Sequence, residues 1–204
     1  MAKKKKAVWE IPGIDCVFDS KEEWMFTHWL LEAESMGLIY PDWNFHPEPH
    51  RLSEGQFTHW TERKQLKTKV KEVIKRKSLC VKCDYEPDFK FRIKQRLPEI
   101  FPRLFLLPDR EGYVTVDTKG AVAGRNNNSA ISFPVKQKWL LQKTGIYAQK
   151  VVPKEFFLKT WLPDRCRFTY ATARPAKHFH EEMGGEFKTV SQIMEKYNES
   201  FMCI

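Results

Sequence analysis

The chain contains no apolar run approaching the ~18 residues that a membrane span needs. Its first ten residues, MAKKKKAVWE, lack the apolar core of a secretory leader. Cysteine is sparse: five residues, an odd number at scattered spacings, argue against a secreted disulfide framework and fit a reducing compartment. There is no internal repeat, and the only low-complexity tract is Lys3–Lys6. These absences lead us to expect a soluble cytoplasmic protein without membrane association. At 204 residues and 42% hydrophobic content, the chain suits one domain with a small appendage.

What is present is positive charge, unevenly spread. The net charge is +9; Lys3–Lys6 supply four positive charges, and residues 62–77 hold eight Lys/Arg against Glu62 and Glu72. The remainder is close to neutral. Two local basic features point to a polyanion, and counterion release makes nucleic acid the natural one. The alternative is a merely solvated lysine face.

The periodicity predicts a first helix from Ser20 to Met36. Ser20-x-x-Glu23 has capping-box spacing, Gly37 stands at a helix end, and Phe26, Trp29, Leu30, Ala33 and Met36 form an apolar stripe. Residues 42–52 read as a first strand limited by Pro47 and Pro49. Residues 62–77 read as a second, basic helix with Leu66, Val70, Val73 and Ile74 on one side. A strand is expected over 81–93, then an irregular segment punctuated by Pro98, Pro102 and Pro108, and a strand over 112–119. GRNNNS at 124–129 reads as a loop, 133–143 as a helix closed by Gly145, 146–152 as a strand closed by Pro153, and 188–201 as a helix.

Alternation along residues 112–119 places Tyr113, Thr115, Asp117 and Lys119 on one strand face. In the preceding strand Glu86, Asp88 and Lys90 share a face, so pairing of the two strands can bring Asp88 to Asp117. Two carboxylates at a core edge raise each other's pKa unless a cation lies between them. Hard oxygen donors with no His or Cys nearby in sequence favour magnesium or manganese over zinc. A neighbouring lysine can steady a water or a phosphate oxygen, and metal, water and lysine together describe phosphodiester hydrolysis. Each residue also has a plainer reading. Glu23 can close the capping box, with Glu22 as the alternative acid; Asp117 and Lys119 can be a same-face ion pair; Asp88 after a proline can be a turn acid.

Glu23 on a first helix, Pro87-Asp88 and then Asp117-Thr118-Lys119 resemble the PD-(D/E)XK nuclease superfamily over roughly residues 15–153. Within it, FDSKEE, YEPDF, VDTKG and VKQKWLLQKTGIYAQKVVP look most like phage-type nucleases, including phage Holliday-junction resolvases of the endonuclease I kind. The resemblance implies an α/β, restriction-endonuclease-like αβββαβ core with a mixed central sheet flanked by helices. Residues 13–153 would form this core, carrying a basic helical insertion at 53–80, with a flexible basic tail at 1–12 and a C-terminal extension at 154–204 packed on it. It further implies that Asp88, Asp117 and the Thr118 carbonyl bind Mg2+, which Mn2+ can replace. Glu23 completes the site and Lys119 positions the nucleophile. The partner is DNA, in a bacterial host cell if the chain is phage-encoded. The sequence departs from the superfamily at Gln137-x-x-x-Leu141, which lacks the tyrosine of the QxxxY motif of RecB-like members.

Arg63, Lys64, Lys67, Lys71 and Lys75 on the basic segment, Lys136 and Lys138 on the late helix, and the arginine-rich stretch 165–177 are candidate DNA contacts. Cys80-x-x-Cys83 with His178-x-His180 is a weak zinc pattern. The expected function is a metal-dependent DNA endonuclease. A transposase-type or homing-type nuclease and a non-catalytic DNA-binding or assembly protein are the alternatives. Resolvases act as dimers because a junction has two strands to cut, but no dimer element is legible, and a partner subunit stays open.

Overall fold

The computed structural model describes residues 9–94, 96–120, 128–168 and 188–202. Lys3–Lys6, residues 124–127, Arg174, Lys177, His178 and His180 therefore lie outside the described residues. The chain opens with an antiparallel pair, β1 (Trp9–Ile11) and β2 (Ile14–Phe18), which leads into helix α1 (Lys21–Ser35). Ser20 caps α1: its side chain accepts from the Glu23 N–H at 3.2 Å and donates to Glu23 Oε1 at 2.8 Å. The Ser20 half of the expected capping box is thus formed, while the Glu23 carboxylate returns to the Ser20 hydroxyl and the Asp19 N–H rather than to the Ser20 N–H. At the other end Gly37, at φ +68°, takes the left-handed conformation that stops the helix.

Then follow β3 (Asn44–Phe45), β4 (His50–Ser53), β5 (Gln56–Gln65), β6 (Val70–Cys80), β7 (Cys83–Tyr85) and β8 (Phe89–Arg92). The chain continues through α2 (Arg96–Ile100), β9 (Tyr113–Thr118), α3 (Asn128–Thr144), β10 (Ala148–Val151), α4 (Pro153–Lys159), a 3-10 turn at Asp164–Arg167 and α5 (Val190–Met202). The central sheet has the order β10-β9-β8-β3. Its β9–β10 pair is parallel and bridged by α3, and its other two pairs are antiparallel. Taken as α1, β3, β8, β9, α3 and β10, this is a mixed sheet flanked by helices in αβββαβ order, the general restriction-endonuclease-like topology.

Apolar residues fill the space beside the sheet. Phe26, Trp29, Leu30 and Ala33 of α1 are fully buried with Phe89, Phe91, Val114 and Val116 of the sheet in one large cluster. Phe156, Phe157, Trp161, Leu162 and Cys166 join the same cluster, so α4 and the following turn share the α1 core. A smaller cluster gathers Phe133 and Leu140 of α3 with Leu52, Tyr85 and Ala148.

The largest difference from expectation is at 62–77. The basic helix is instead a long antiparallel hairpin, β5–β6, with Gln65 opposite Val70 and Leu66 to Lys69 as its turn. Its apolar residues are spaced for a helix but have no core to enter: Leu66, Val70 and Ile74 stay exposed. With nothing to bury, cross-strand pairs and β-branched residues decide the conformation. Residues 53–80, expected as a helical insertion, therefore form a β arm. Smaller corrections have local causes. Pro47 and Pro49 divide the first strand into β3 and β4, and Pro87, which has no N–H to give, divides residues 81–93 into β7 and β8. Helix α3 begins at Asn128, inside the stretch read as a loop, and Arg96–Ile100 is a short helix within the stretch read as irregular.

Trp29 is the centre of the main core, stacked on Trp161 at 4.8 Å and set edge-on to Phe156 at 4.9 Å, with its indole N–H donating to Thr160 Oγ1 at 3.1 Å. Trp29→Ala is expected to cost about 3–5 kcal/mol, read as a lower urea midpoint without change in slope.

Candidate metal centre

Pro87 interrupts the ladder just before β8, and Asp88 restarts it. The Asp88 N–H donates to the Val116 carbonyl at 3.1 Å, and the Asp88 carbonyl accepts from the His46 N–H at 2.9 Å. Its carboxylate turns to Thr118 at the end of β9, where Oδ2 accepts from the backbone N–H at 2.6 Å and the hydroxyl at 2.7 Å. Burial, reinforced by the nearby charge of Asp117, pushes the Asp88 carboxyl up to about 6; the Thr118 hydrogen bonds and the Lys119 charge offset only part of this. The group is held in place but is reluctant to carry its charge, which is the condition a bound cation would relieve.

Two side chains converge on it. Glu23, buried in the first turn of α1, and His46, exposed at the end of β3, offer ligand atoms that lie with one from Asp88 within 4.8 Å of one another. His46 Nε2 is 3.9 Å from Glu23 Oε2. The placement of His46 is unusual: among the described residues it is the only non-glycine residue at positive φ, +48°. Such a backbone is uncommon outside glycine and persists where the surroundings hold it. Here Pro47 follows it, and its ring stacks on Phe45 at 3.8 Å, itself packed against Phe18 and Phe89. Glu23 is also fixed, because Oε2 accepts the Asp19 N–H at 2.9 Å while Oε1 accepts from Ser20. The carboxylate that caps α1 is thus also a member of the candidate ligand cluster.

Asp117 and Lys119 form an adjoining group. Asp117 is buried, accepts from the Tyr85 hydroxyl at 2.9 Å and is ion-paired with the Lys119 ammonium. Burial and the Asp117 charge push the Tyr85 hydroxyl far above its ordinary range, so it remains a proton donor. Tyr85, Asp117, Lys119, Phe133 and Lys136 line a cavity of about 320 Å³. Glu22 approaches from α1: a Cβ on Gly120 would meet its Oε1 at 3.3 Å. Both acids of the first turn of α1 therefore face this region.

The structure thus gathers the expected Glu23, Asp88, Asp117 and Lys119 at one end of β8 and β9, divided in two. Glu23 and Asp88 belong to the candidate ligand cluster with His46, while Asp117 pairs with Lys119 and reaches Asp88 through its charge. His46 is the residue sequence reasoning misses. The available signal is Phe45-His46-Pro47, where β3 ends beside the start of β8 and Asp88. Arg63, Lys64, Lys67, Lys71 and Lys75 lie on the β5–β6 arm. Lys136 donates to the Asp84 carbonyl at 3.1 Å and Lys138 is exposed, both on α3. Arg165 stacks over Trp24, and Arg167 pairs with Asp164. Cys80 and Cys83 are free thiols outside the ligand cluster, and their proposed histidine partners lie outside the described residues. Gln137 donates to the Ala148 carbonyl. Among the described residues no helix is long and apolar enough to cross a membrane.

No protein-family model matches the chain, and no curated protein or solved structure matches it. The class that fold and site define is an α/β protein of general nuclease-like character with a candidate divalent-metal centre.

In the absence of metal, Asp88 weakens the fold at neutral pH. An unfolded aspartate titrates near ~3.9, and the folded one at about 6. Below the first value both states are protonated and nothing is lost. Between the two the folded state keeps a proton the unfolded state has released, so stability falls as pH rises and levels off above about 6. Asp88→Asn, which retains an acceptor for Thr118, is expected to exceed the wild type in stability by about 3 kcal/mol at pH 8 in EDTA, with the gap closing by pH 4; urea unfolding at both pH values checks it.

Proposed function

We propose that the protein is a divalent-metal-dependent DNA endonuclease of the PD-(D/E)XK type. The observation that carries this reading is the convergence of Glu23, His46 and Asp88 beside the Asp117–Lys119 pair. Two carboxylates and one imidazole suit a divalent cation, and the elevated pKa of Asp88 fits a site shaped for positive charge. A bound ion would supply a Lewis acid and lower the pKa of a water. Lys119, placed by Asp117, offers an ammonium to a phosphate oxygen or to the attacking water, and Tyr85 holds Asp117 in position. The imidazole shifts donor preference from Mg2+ towards Mn2+, since nitrogen ligands suit transition metals better than magnesium. Phage-type action on branched DNA is the finer form of this reading and rests on the sequence resemblance.

A second reading follows from the hydrogen bonds of Glu23. Its carboxylate is already engaged by Ser20 and Asp19, so the cluster can be a completed helix cap in a DNA-binding protein that does not cut.

Cleavage of supercoiled plasmid and of a four-way junction separates the readings. The wild type is expected to nick in Mn2+ and, more slowly, in Mg2+, but not in EDTA. Lys119→Ala is expected to lose about 10²-fold or more, and His46→Ala to lose its advantage in Mn2+ over Mg2+. Wild-type rates in Lys119→Ala would refute the site. Binding without cleavage in any metal would favour the capping reading.

A further inference from the structure

The β5–β6 arm sorts its charge by face. Strand register puts Thr58 with Lys77, Trp60 with Lys75, Glu62 with Val73 and Lys64 with Lys71 on one side. Four lysines and one glutamate share that side, and the turn adds Lys67 and Lys69. The other side holds Ile74, Val70 and Phe57, with Arg63 paired to Glu72 and Arg76 lying over Phe57 at 3.4 Å. Helix periodicity would have mixed these residues; pairing separates them.

The lysine face is also largely unneutralised. Lys75 reaches Glu62 at 3.7 Å, and Lys64, Lys71 and Lys77 have no carboxylate partner among the described residues. Trp60 is exposed on the same face, with its N–H given to Glu62. A surface carrying this much uncompensated charge has a polyanion as its complement.

The dimensions favour one polyanion. Ten paired residues span about 33 Å, close to one turn of B-form DNA at roughly 34–36 Å. The major groove of B-DNA admits a two-stranded ribbon, whereas the deep, narrow major groove of A-form RNA does not. At its root the arm joins the paired strands β4 and β7, and β7 ends at Tyr85, the residue that holds Asp117.

The geometry points to the β5–β6 arm as a ribbon that lies along the major groove of duplex DNA, with Lys64, Lys71, Lys75 and Lys77 on the phosphates, delivering the backbone to the site at its root. Choice of DNA as the polyanion rests on the proposed nuclease function; the arm's role in binding is tested without cleavage. Anisotropy of a labelled 30-bp DNA duplex in EDTA would be measured against salt for the full chain. Lys64, Lys71, Lys75 and Lys77 changed together to Gln should weaken binding at least tenfold at low salt. The slope of log affinity on log salt should become shallower by about three to four, near 0.9 for each phosphate that no longer meets a lysine. Val70→Thr with Ile74→Thr, on the opposite face, should leave both unchanged, and circular dichroism of each variant verifies that it folds. The proposal is overturned if the lysine variant keeps wild-type affinity and slope, if the Val70/Ile74 variant loses binding instead, or if duplex RNA binds as tightly as DNA. Because no metal is present, any of these outcomes leaves the cleavage reading to its own test.

Discussion

The grip of Thr118 on the Asp88 carboxylate is the contact on which the site depends. It ties the break at Pro87 to the end of β9 and holds an acid where burial and Asp117 both oppose its charge. A free carboxylate would swing towards water or take up a proton. Backbone and hydroxyl donors together keep it aimed at Glu23 and His46. The site is thus built at a place where the sheet's own hydrogen bonding is interrupted.

The helix side follows the same economy. Ser20 and Asp19 immobilise Glu23 by the bonds that start α1, so the residue that stabilises the helix also belongs to the candidate metal cluster. His46 needs a different restraint, because an exposed imidazole just past a two-residue strand would otherwise sample many rotamers. Ring stacking on Phe45 and an unusual backbone angle supply it, and Phe45 passes that order to the core through Phe18 and Phe89. Core packing and site geometry are one network here, with Phe89 buried a single residue after Asp88.

Elements whose cause is local were legible in the sequence. Helix α1 announced itself through Ser20-x-x-Glu23 and its aromatic stripe, and β9 through the alternation of Tyr113 to Lys119. The arm carried two competing periods. Leu66, Val70, Val73 and Ile74 are spaced for a helix, while Lys71, Lys75 and Lys77 fall at even spacings, as on one face of a strand, and the first period prevails only where a core exists to receive it. His46 was illegible for another reason. Its neighbours Glu23 and Asp88 are distant in sequence, and its left-handed backbone follows from the packing around it. The split between Asp88 and Asp117 likewise arises from the break at Pro87, which simple alternation cannot register.

The arm leaves and rejoins the fold at residues that pair with each other, Ser53 opposite Cys83 on β4 and β7. A segment bounded in this way is a module. It can be lengthened, shortened or exchanged while the chain still closes across the same pair of strands, with little change in closure entropy. Changes in the arm can then leave unaltered the packing of the sheet that holds Asp88 and Asp117.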